Sequence, residues 1–356
     1  MWESHGREKA ISRSIHRALT REPYSQGIQS HSWVMCIYNF FSLSYVRLSR
    51  VSAELFKHLR NEVWKIDDTD YTNAFRHQGP NTGLVAVGDL GYSGSAFFRT
   101  ANSRYLAKSL PRSAEHRFFK EELLVPYYEY MKAHTDSLLV HITDLLGVPS
   151  PVLGTMVGYA PSHHVIMENI MYDREQSTEP NLWETYDLKP IDYFYPERDL
   201  VPEPLTSRAV KSRLYDHFKD KVRVTKTQFQ NLRRLLEQDT MFLKSGNTVD
   251  YSLFLIRYPA HILSTESLES SSEWSRGVTS TDGKWKYRVV LLDFFWAKHK
   301  LPAQAMTGVV QTFNVVGRKG PMSITTTAEE YREKFLQMAD GLVELTDDQP
   351  ECRLAK

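Results

Sequence analysis

Cysteine is nearly absent: the chain has two, Cys36 and Cys352, in 356 residues. Their separation excludes a disulfide framework and a cysteine-based zinc site, and a reducing, intracellular compartment is expected. Glycine (17) and proline (16) are sparse while aromatics reach 12%, which excludes fibrous and low-complexity disordered classes. Charge of one sign is missing too. Lys+Arg number 44 against 43 Asp+Glu, a formal net charge of +1, so a generic nucleic-acid binder is excluded. No hydrophobic run reaches the ~20 residues that span a bilayer. The most lipophilic stretch, WVMCIYNFFSLSYV from Trp33 to Val46, contains Asn39, Ser42 and Ser44. The polar start MWESHGREKAISRS lacks the apolar core of a secretory signal. A cytoplasmic chain is expected, neither secreted nor transmembrane, with any membrane association peripheral.

What is present is a 41% hydrophobic chain long enough for two domains or lobes at roughly 150 residues each. Residues 1–31 read as a leader. Ile11, Ile15, Ala18 and Leu19 share one side of a helix, with Arg13, Arg17 and Arg21 on another. That helix either packs on its own protein or presents a basic surface to acidic lipid. An N-terminal lobe is expected over 32–165, a C-terminal lobe over 166–345 and a tail over 346–356. SLSYVRL alternates as a strand, and AELFKHLRNEVW has helical spacing. DDTDYTNAF supplies an N-cap, and LVAVGDL and AFFRTANSRYLAKSL read as strands around a Gly/Ser turn, before the helix HRFFKEELLVPYYEYMKAH. TKTQFQNLRRLLEQDTMFL and TTAEEYREKFLQMADGLVEL read as later helices. YSLFLIRY and KYRVVLLDFF read as strands separated by the serine-rich STESLESSSEWSRGVTSTDG, a polar insert with no means of building a core. Strands first and helices later predict an α+β protein in two lobes.

Two features carry chemistry. The turn Gly91-Tyr92-Ser93-Gly94-Ser95 lets the backbone approach a ligand and turn N–H groups toward phosphate oxygens; an ordinary hairpin is the plain alternative. Lys108 follows on the next strand among apolar residues, where a buried ammonium needs a partner and an edge-strand surface lysine does not. A glycine hairpin, a strand lysine and a helix with acids form the nucleotide-clamping plan of kinases. Farther on, Asp250 precedes one apolar strand and Asp293 follows the other. If the strands pair across the serine-rich loop, both carboxylates lie at the opposite end. There they could orient a hydroxyl nucleophile and hold Mg²⁺; capping a helix or pairing with an arginine is the alternative for either.

With these residues in order, the sequence resembles the phosphatidylinositol phosphate kinases. GYSGSAFF resembles that family's phosphate-covering loop, YLAKSL its nucleotide-lysine strand and VIMENIMYD its hinge. TYDLKP, TVDYSLFLI and VVLLDFF are similar to its Y-D-L-K-G-S, M-D-Y-S-L-L and I-I-D motifs, and TAEEYREKFLQMA to its closing helix. The resemblance implies a two-lobed kinase-like fold with antiparallel sheets, shared with phosphoribosyl-aminoimidazole succinocarboxamide synthase. It also implies ATP and Mg²⁺ as cofactors. Gly91, Ser93, Gly94 and Ser95 would cover the ATP phosphates, and Lys108 would contact them, held by Glu115 or its rivals Glu121 and Glu122. Met167, Glu168, Asn169 and Ile170 would line the adenine pocket. Lys189 would face the transferred phosphate, Asp250 would be catalytic and Asp293 the metal ligand. The implied activity is phosphorylation of a phosphoinositide headgroup hydroxyl. The alternatives are a catalytically degenerate lipid- or protein-binding scaffold, and a soluble inositol phosphate or small-molecule kinase. Several relatives dimerise through the N-terminal lobe, and Trp33–Val46 could serve a homodimer in that way; an ordinary core helix or strand is the favoured alternative for that stretch.

Two departures stand out. Pro190-Ile191-Asp192-Tyr193 replaces the Gly-Ser and basic cluster that follow the D-L-K lysine in the family. Lys298-His299-Lys300-Leu301-Pro302 keeps positive charge in the substrate-selecting loop but places proline near the selecting position. The neutral total is itself a cancellation. Nine acidic residues against three basic lie between Met171 and Pro204, and nine basic against two acidic between Ser207 and Leu236. Lys211 and Arg213 in the second segment, with Lys219, Lys221 and Arg223, could form a patch facing anionic lipid, each worth ~1 kcal/mol near such a surface; the alternative is that the acidic segment lies on the basic one within the same chain.

Overall fold

The computed structural model describes residues 2–20, 47–76, 84–87, 95–110, 112–149, 161–190, 218–262, 272–297 and 327–346. Gly91, Ser93, Gly94, Trp33–Val46, Lys211, Arg213, Lys298, His299 and Lys300 lie outside these residues. The chain divides into two compact units, Met1–Ala133 with Val140–Glu175, and His134–Leu139 with Gln176–Lys356.

In the first unit, α1 (Trp2–Thr20) follows the amphipathic pattern. Ile11, Ile15 and Leu19 are buried in a core with Tyr71, Phe75, Phe98 and Tyr105, while Arg13 and Arg17 are exposed. The expected leader is therefore a wall of this core. β1 (Ser49–Arg50) leads to α2 (Ala53–His58), which continues through a π-helical turn at Leu59–Val63. The carboxylate of Asp67 accepts from the N–H groups of Thr69 and Asp70 at 2.8 and 2.9 Å and starts α3 (Asp68–Ala74), as the acidic turn predicts. Then come β2 (Val85–Val87), β3 (Phe97–Arg99), β4 (Tyr105–Ser109) and α4 (Ser113–Phe118). A second π-helical turn, Phe119–Leu123, joins α4 to α5 (Leu124–Ala133). β5 (Ile142–Gly147) and β6 (His163–Glu168) complete an antiparallel sheet in the order β1-β5-β6-β4-β3-β2. The expected division at 165/166 falls inside β6, which pairs on both sides within this sheet, and the unit runs on to Glu175.

A charge cluster braces this sheet. Asp144 on β5 is fully buried, ion-paired with Arg50 at 2.6 Å and Arg60 at 3.2 Å, and accepts from the Tyr71 hydroxyl at 3.2 Å. Arg60 also meets Asp68 at 2.6 Å. Two guanidinium groups thus compensate one desolvated carboxylate and tie β1, the first π turn and α3 to the sheet.

The first unit closes with α6 (Tyr172–Gln176), and the second opens with β7 (Glu184–Leu188) and β8 (Val222–Val224). α7 (Lys226–Ser245) opens with a capping box in which Thr225 and Gln228 bond reciprocally. Its buried Asp239 accepts from the Ser137 hydroxyl and the Leu138 N–H, both at 2.7 Å, and so holds residues 134–139 to this unit. After β9 (Thr248–Val249) and β10 (Ser252–Pro259) come α8 (Glu273–Arg276), β11 (Val278–Thr279), β12 (Trp285–Leu292) and β13 (Trp296–Ala297). α9 (Ala328–Leu342), again capped by a Thr327–Glu330 box, runs into β14 (Val343–Leu345). The main sheet is antiparallel in the order β11-β12-β10-β7. The serine-rich insert departs from expectation in its second half. Trp274 of α8 is completely buried and donates its indole N–H to the Gln228 carbonyl at 3.2 Å, and β11 joins the sheet. One tryptophan and one valine give this polar stretch the apolar surface it needs to dock.

Candidate active site

Lys108 lies on β4 opposite Phe97 and Val165, 4% exposed, with its ammonium 5.5 Å from the centre of the Phe97 ring. Of the three candidate acids, Glu115 on α4 is buried and accepts from Arg112 at 2.8 Å. Glu122 is half-buried and Glu121 exposed, both on the following π turn. The helix of Glu115 covers the Lys108 side of the sheet. His116 stacks at 3.9 Å on His163, which shares a strand face with Val165, the partner of Lys108. Burial, and then the His163 and Lys120 charges, push the His116 imidazole down to about 3.

Met167 and Glu168 end β6, with Asn169 and Ile170 just beyond. Two of these side chains fasten the segment. The Asn169 amide donates to the Ser103 carbonyl at 2.7 Å, and the Glu168 carboxylate meets His141 at 3.0 Å. His141 in turn stacks on Trp64 at 4.4 Å. Ser95 is buried at the start of the run into β3.

The second unit gathers Lys189, Asp250 and Asp293 from segments far apart in sequence. β10 pairs with β12 so that Ser252 faces Leu292, and with β7 so that Leu253 faces Leu188. Lys189, one residue past β7, Asp250, two before β10, and Asp293, one past β12, therefore stand at one end of the sheet. The Lys189 ammonium donates to the Asp250 carboxylate at 2.8 Å and to the Asp250 carbonyl at 2.7 Å. The expected hairpin forms, and the partner of Asp250 is a lysine rather than an arginine or a helix end.

Both aspartates turn corners. Asp250 joins β9 to β10 and Asp293 joins β12 to β13; β9 pairs with β13 as β10 pairs with β12. At each corner the backbone is left-handed, φ 66° at Asp250 and 64° at Asp293. Pairing on both sides overdetermines a conformation that non-glycine residues seldom hold, and such strain concentrates at functional sites. α9 backs the first corner: the Tyr331 hydroxyl donates to the Tyr251 carbonyl, and the Tyr251 ring meets Tyr331 and Phe335 edge-on.

Burial alone would discourage the Lys189 ammonium, yet Asp250, Asp187 and Asp293 outweigh it and hold its pKa above the ordinary value. Lys189 is a permanent cation among three carboxylates. Asp187 is absent from the sequence-predicted site, although its signal is visible: two residues before Lys189 on a strand, it shares the same face. The arrangement offers a carboxylate aligned by a cation, a second carboxylate beside it, and an ammonium suited to phosphate oxygens. Among the described residues no cluster of three or more His, Cys, Asp or Glu side chains could hold a metal unaided. None of their helices is long and apolar enough to cross a membrane.

Comparison with known proteins adds an independent line. The family model described as Phosphatidylinositol-4-phosphate 5-Kinase matches residues 79–276. A phosphatidylinositol 4-phosphate 5-kinase of Plasmodium falciparum (isolate 3D7) is 27% identical over 218 residues, 57% of this chain and 12% of that protein. Phosphatidylinositol 4-phosphate 5-kinase 8 of Arabidopsis thaliana is 28% identical over 225 residues, 62% of this chain and 26% of that protein. The 1-phosphatidylinositol 3-phosphate 5-kinase of Homo sapiens is 22% identical over 296 residues, 80% of this chain and 12% of that protein. The matched region is thus 12 to 26% of each relative's length.

Proposed function

The chain belongs to the phosphatidylinositol-4-phosphate 5-kinase family, and from that premise we propose that it transfers the γ-phosphoryl group of ATP to a hydroxyl of a phosphoinositide headgroup. The observation that carries the reading is the pair of left-handed aspartate corners, with Lys189 bonded to the first. In this reading the units are the lobes of a kinase-like fold. The first binds nucleotide: Gly91, Ser93, Gly94 and Ser95 cover the phosphates, Lys108 contacts them, Glu115 holds Lys108, and Met167 to Ile170 face the adenine. The burial of Glu115, and its position on the helix covering the Lys108 face, support choosing it over Glu121 and Glu122.

The second unit performs the transfer. Asp250 orients the acceptor hydroxyl and takes its proton, and Lys189 stabilises charge on the phosphoryl oxygens in flight. The donor set suits Mg²⁺, which takes one or two carboxylates and completes its shell with phosphate oxygens and water. Asp293 is the residue that would hold it; when bound, the ion neutralises phosphate charge. Lys298, His299 and Lys300 would meet the headgroup, and Lys211 and Arg213 an anionic membrane from the cytoplasmic side. A homodimer through Trp33–Val46 belongs to the same reading.

The test is transfer of labelled phosphate from ATP to phosphatidylinositol monophosphates in vesicles, with soluble inositol phosphates in parallel. Wild type should label the lipid and Asp293→Asn should not; equal counts in both would remove the enzymatic claim. A non-catalytic scaffold would also show no thermal stabilisation by Mg-ATP, whereas a binding site filled at ~100 times its Kd adds about 2.7 kcal/mol.

A further inference from the structure

We propose that α1 is a positioning element for nucleotide binding, with His16 and Ser12 as the residues through which it acts; this rests on the function proposed above. α1 grips both ends of one connection. The His16 ring Nδ1 lies 2.7 Å from the Phe75 carbonyl, at the C-terminal end of α3. A carbonyl can only accept, so Nδ1 carries the proton and donates. One turn earlier, the buried Ser12 hydroxyl donates to the Leu84 carbonyl at 3.4 Å. Leu84 immediately precedes β2, so the chain from α3 to β2 is held by α1 where it starts and where it ends.

β2 needs such a hold. It is three residues long, pairs with β3 through Val85, Ala86 and Val87, and lies at the edge of its sheet. A short edge strand with one partner is marginal without other support. In sequence, β2 and β3 flank the glycine turn, and β3 pairs with β4, which carries Lys108.

The apolar side of α1 reaches the same strands. Ile11, Ile15 and Leu19 share a buried cluster with Leu84, with Phe98 of β3 and with Tyr105 and Ala107 of β4. Strand alternation puts Ala107 on the α1 side and its neighbour Lys108 on the opposite face. α1 therefore backs the strand whose other face presents the nucleotide lysine. It acts through the sheet, so it sets where Lys108 and β2 stand and takes no part in the chemistry.

The test uses the full chain with His16→Leu, which removes the donor, and His16→Asn, whose amide replaces the Nδ1 proton donor. Two quantities are read: the Kd for Mg-ATP by calorimetry, and hydrogen exchange at 84–87 and 105–109, with 226–245 in the second unit as the folding control. His16→Leu should raise the Kd roughly three- to tenfold, the range of one lost hydrogen bond. It should speed exchange at 84–87 and leave 226–245 unchanged, and His16→Asn should restore both within about twofold. At saturating ATP, kcat should match wild type. Unchanged Kd and exchange in His16→Leu would overturn the proposal, as would equal losses in the Leu and Asn variants. A wild-type chain that binds no Mg-ATP would instead refute the nucleotide reading. Exchange at 84–87 would then decide alone: rescue by Asn supports the brace, and no change removes it.

Discussion

Asp250→Asn deletes one charge and almost no volume, and the structure sets the size of its effect. Lys189 keeps its 2.7 Å bond to the Asp250 carbonyl, and the new amide oxygen can still accept where the carboxylate did. Asp187 and Asp293 continue to compensate the ammonium. What is lost is the difference between a charge-assisted and a neutral hydrogen bond, about 1 kcal/mol at a site where both side chains retain 16% exposure. The backbone adds nothing, because asparagine tolerates the left-handed corner as well as aspartate does; Asp250→Val would add roughly 1–2 kcal/mol of strain. Thermal unfolding should therefore show a fall of about 2–4 °C for Asn. On the role proposed for Asp250 as general base, its loss should cut single-turnover phosphoryl transfer about 10²- to 10⁴-fold. Stability and rate thus separate. A variant that keeps its rate within about tenfold refutes the role of Asp250, and one that fails to fold refutes the local energetics. Lys189 adds no pH slope near neutrality. Its folded pKa is raised above 10.5, so its contribution is present below that value and lost as pH rises through the higher folded one.

Three further outcomes follow from the packing. Gly277→Ala should lower the unfolding free energy measured by denaturant titration by about 2–4 kcal/mol. Its φ is 128°, and an added Cβ would sit 2.9 Å from the hydroxyl of Tyr258, which stacks on Trp183 and cannot retreat. Asp144→Asn should cost about 3 kcal/mol in the same assay, because it leaves Arg50 and the fully buried Arg60 side by side without their shared carboxylate. Burial, then the His163 and Lys120 charges, hold His116 at about 3; burial, then Lys120, hold His163 at about 4. Their unfolded values are higher, so the stability they contribute is present above about pH 6.5 and lost as pH falls through 4 and 3. Each adds a slope of up to ~1.4 kcal/mol per pH unit. His163→Gln should flatten the acid limb of a stability-against-pH curve, and an unchanged limb would refute the assignment.

Much of the local structure could be read directly. Asp67 and Thr327 announce their helices, because a cap is a bond between residues two or three apart. The alternating runs that became β4, β10 and β12 needed only their own period. Lys108, Asp250 and Asp293 stood out because a charge beside apolar strand residues must have a use, whereas Lys189 was picked out only by the resemblance of TYDLKP to a family motif. Their arrangement needed the fold. The strand pairing put Asp187, Lys189, Asp250 and Asp293 at one sheet end, and a register shift of one residue would have turned them to opposite faces. Trp274 could be recognised as buried only once a helix and a strand edge stood ready to receive it.

The N-terminal helix shows the division most clearly. Its sequence determined a helix with one apolar and one basic side, since 3.6-residue periodicity is local. It left open whether the helix packed on its own protein or presented its basic side to acidic lipid. Tertiary structure decided for the core, because Leu84, Phe98, Tyr105 and Ile166, joined by Tyr71 and Ala74 of α3, form an apolar surface on which Ile11, Ile15 and Leu19 are buried. Periodicity specifies that a face must be buried; the partner that buries it is set by residues distant in the chain.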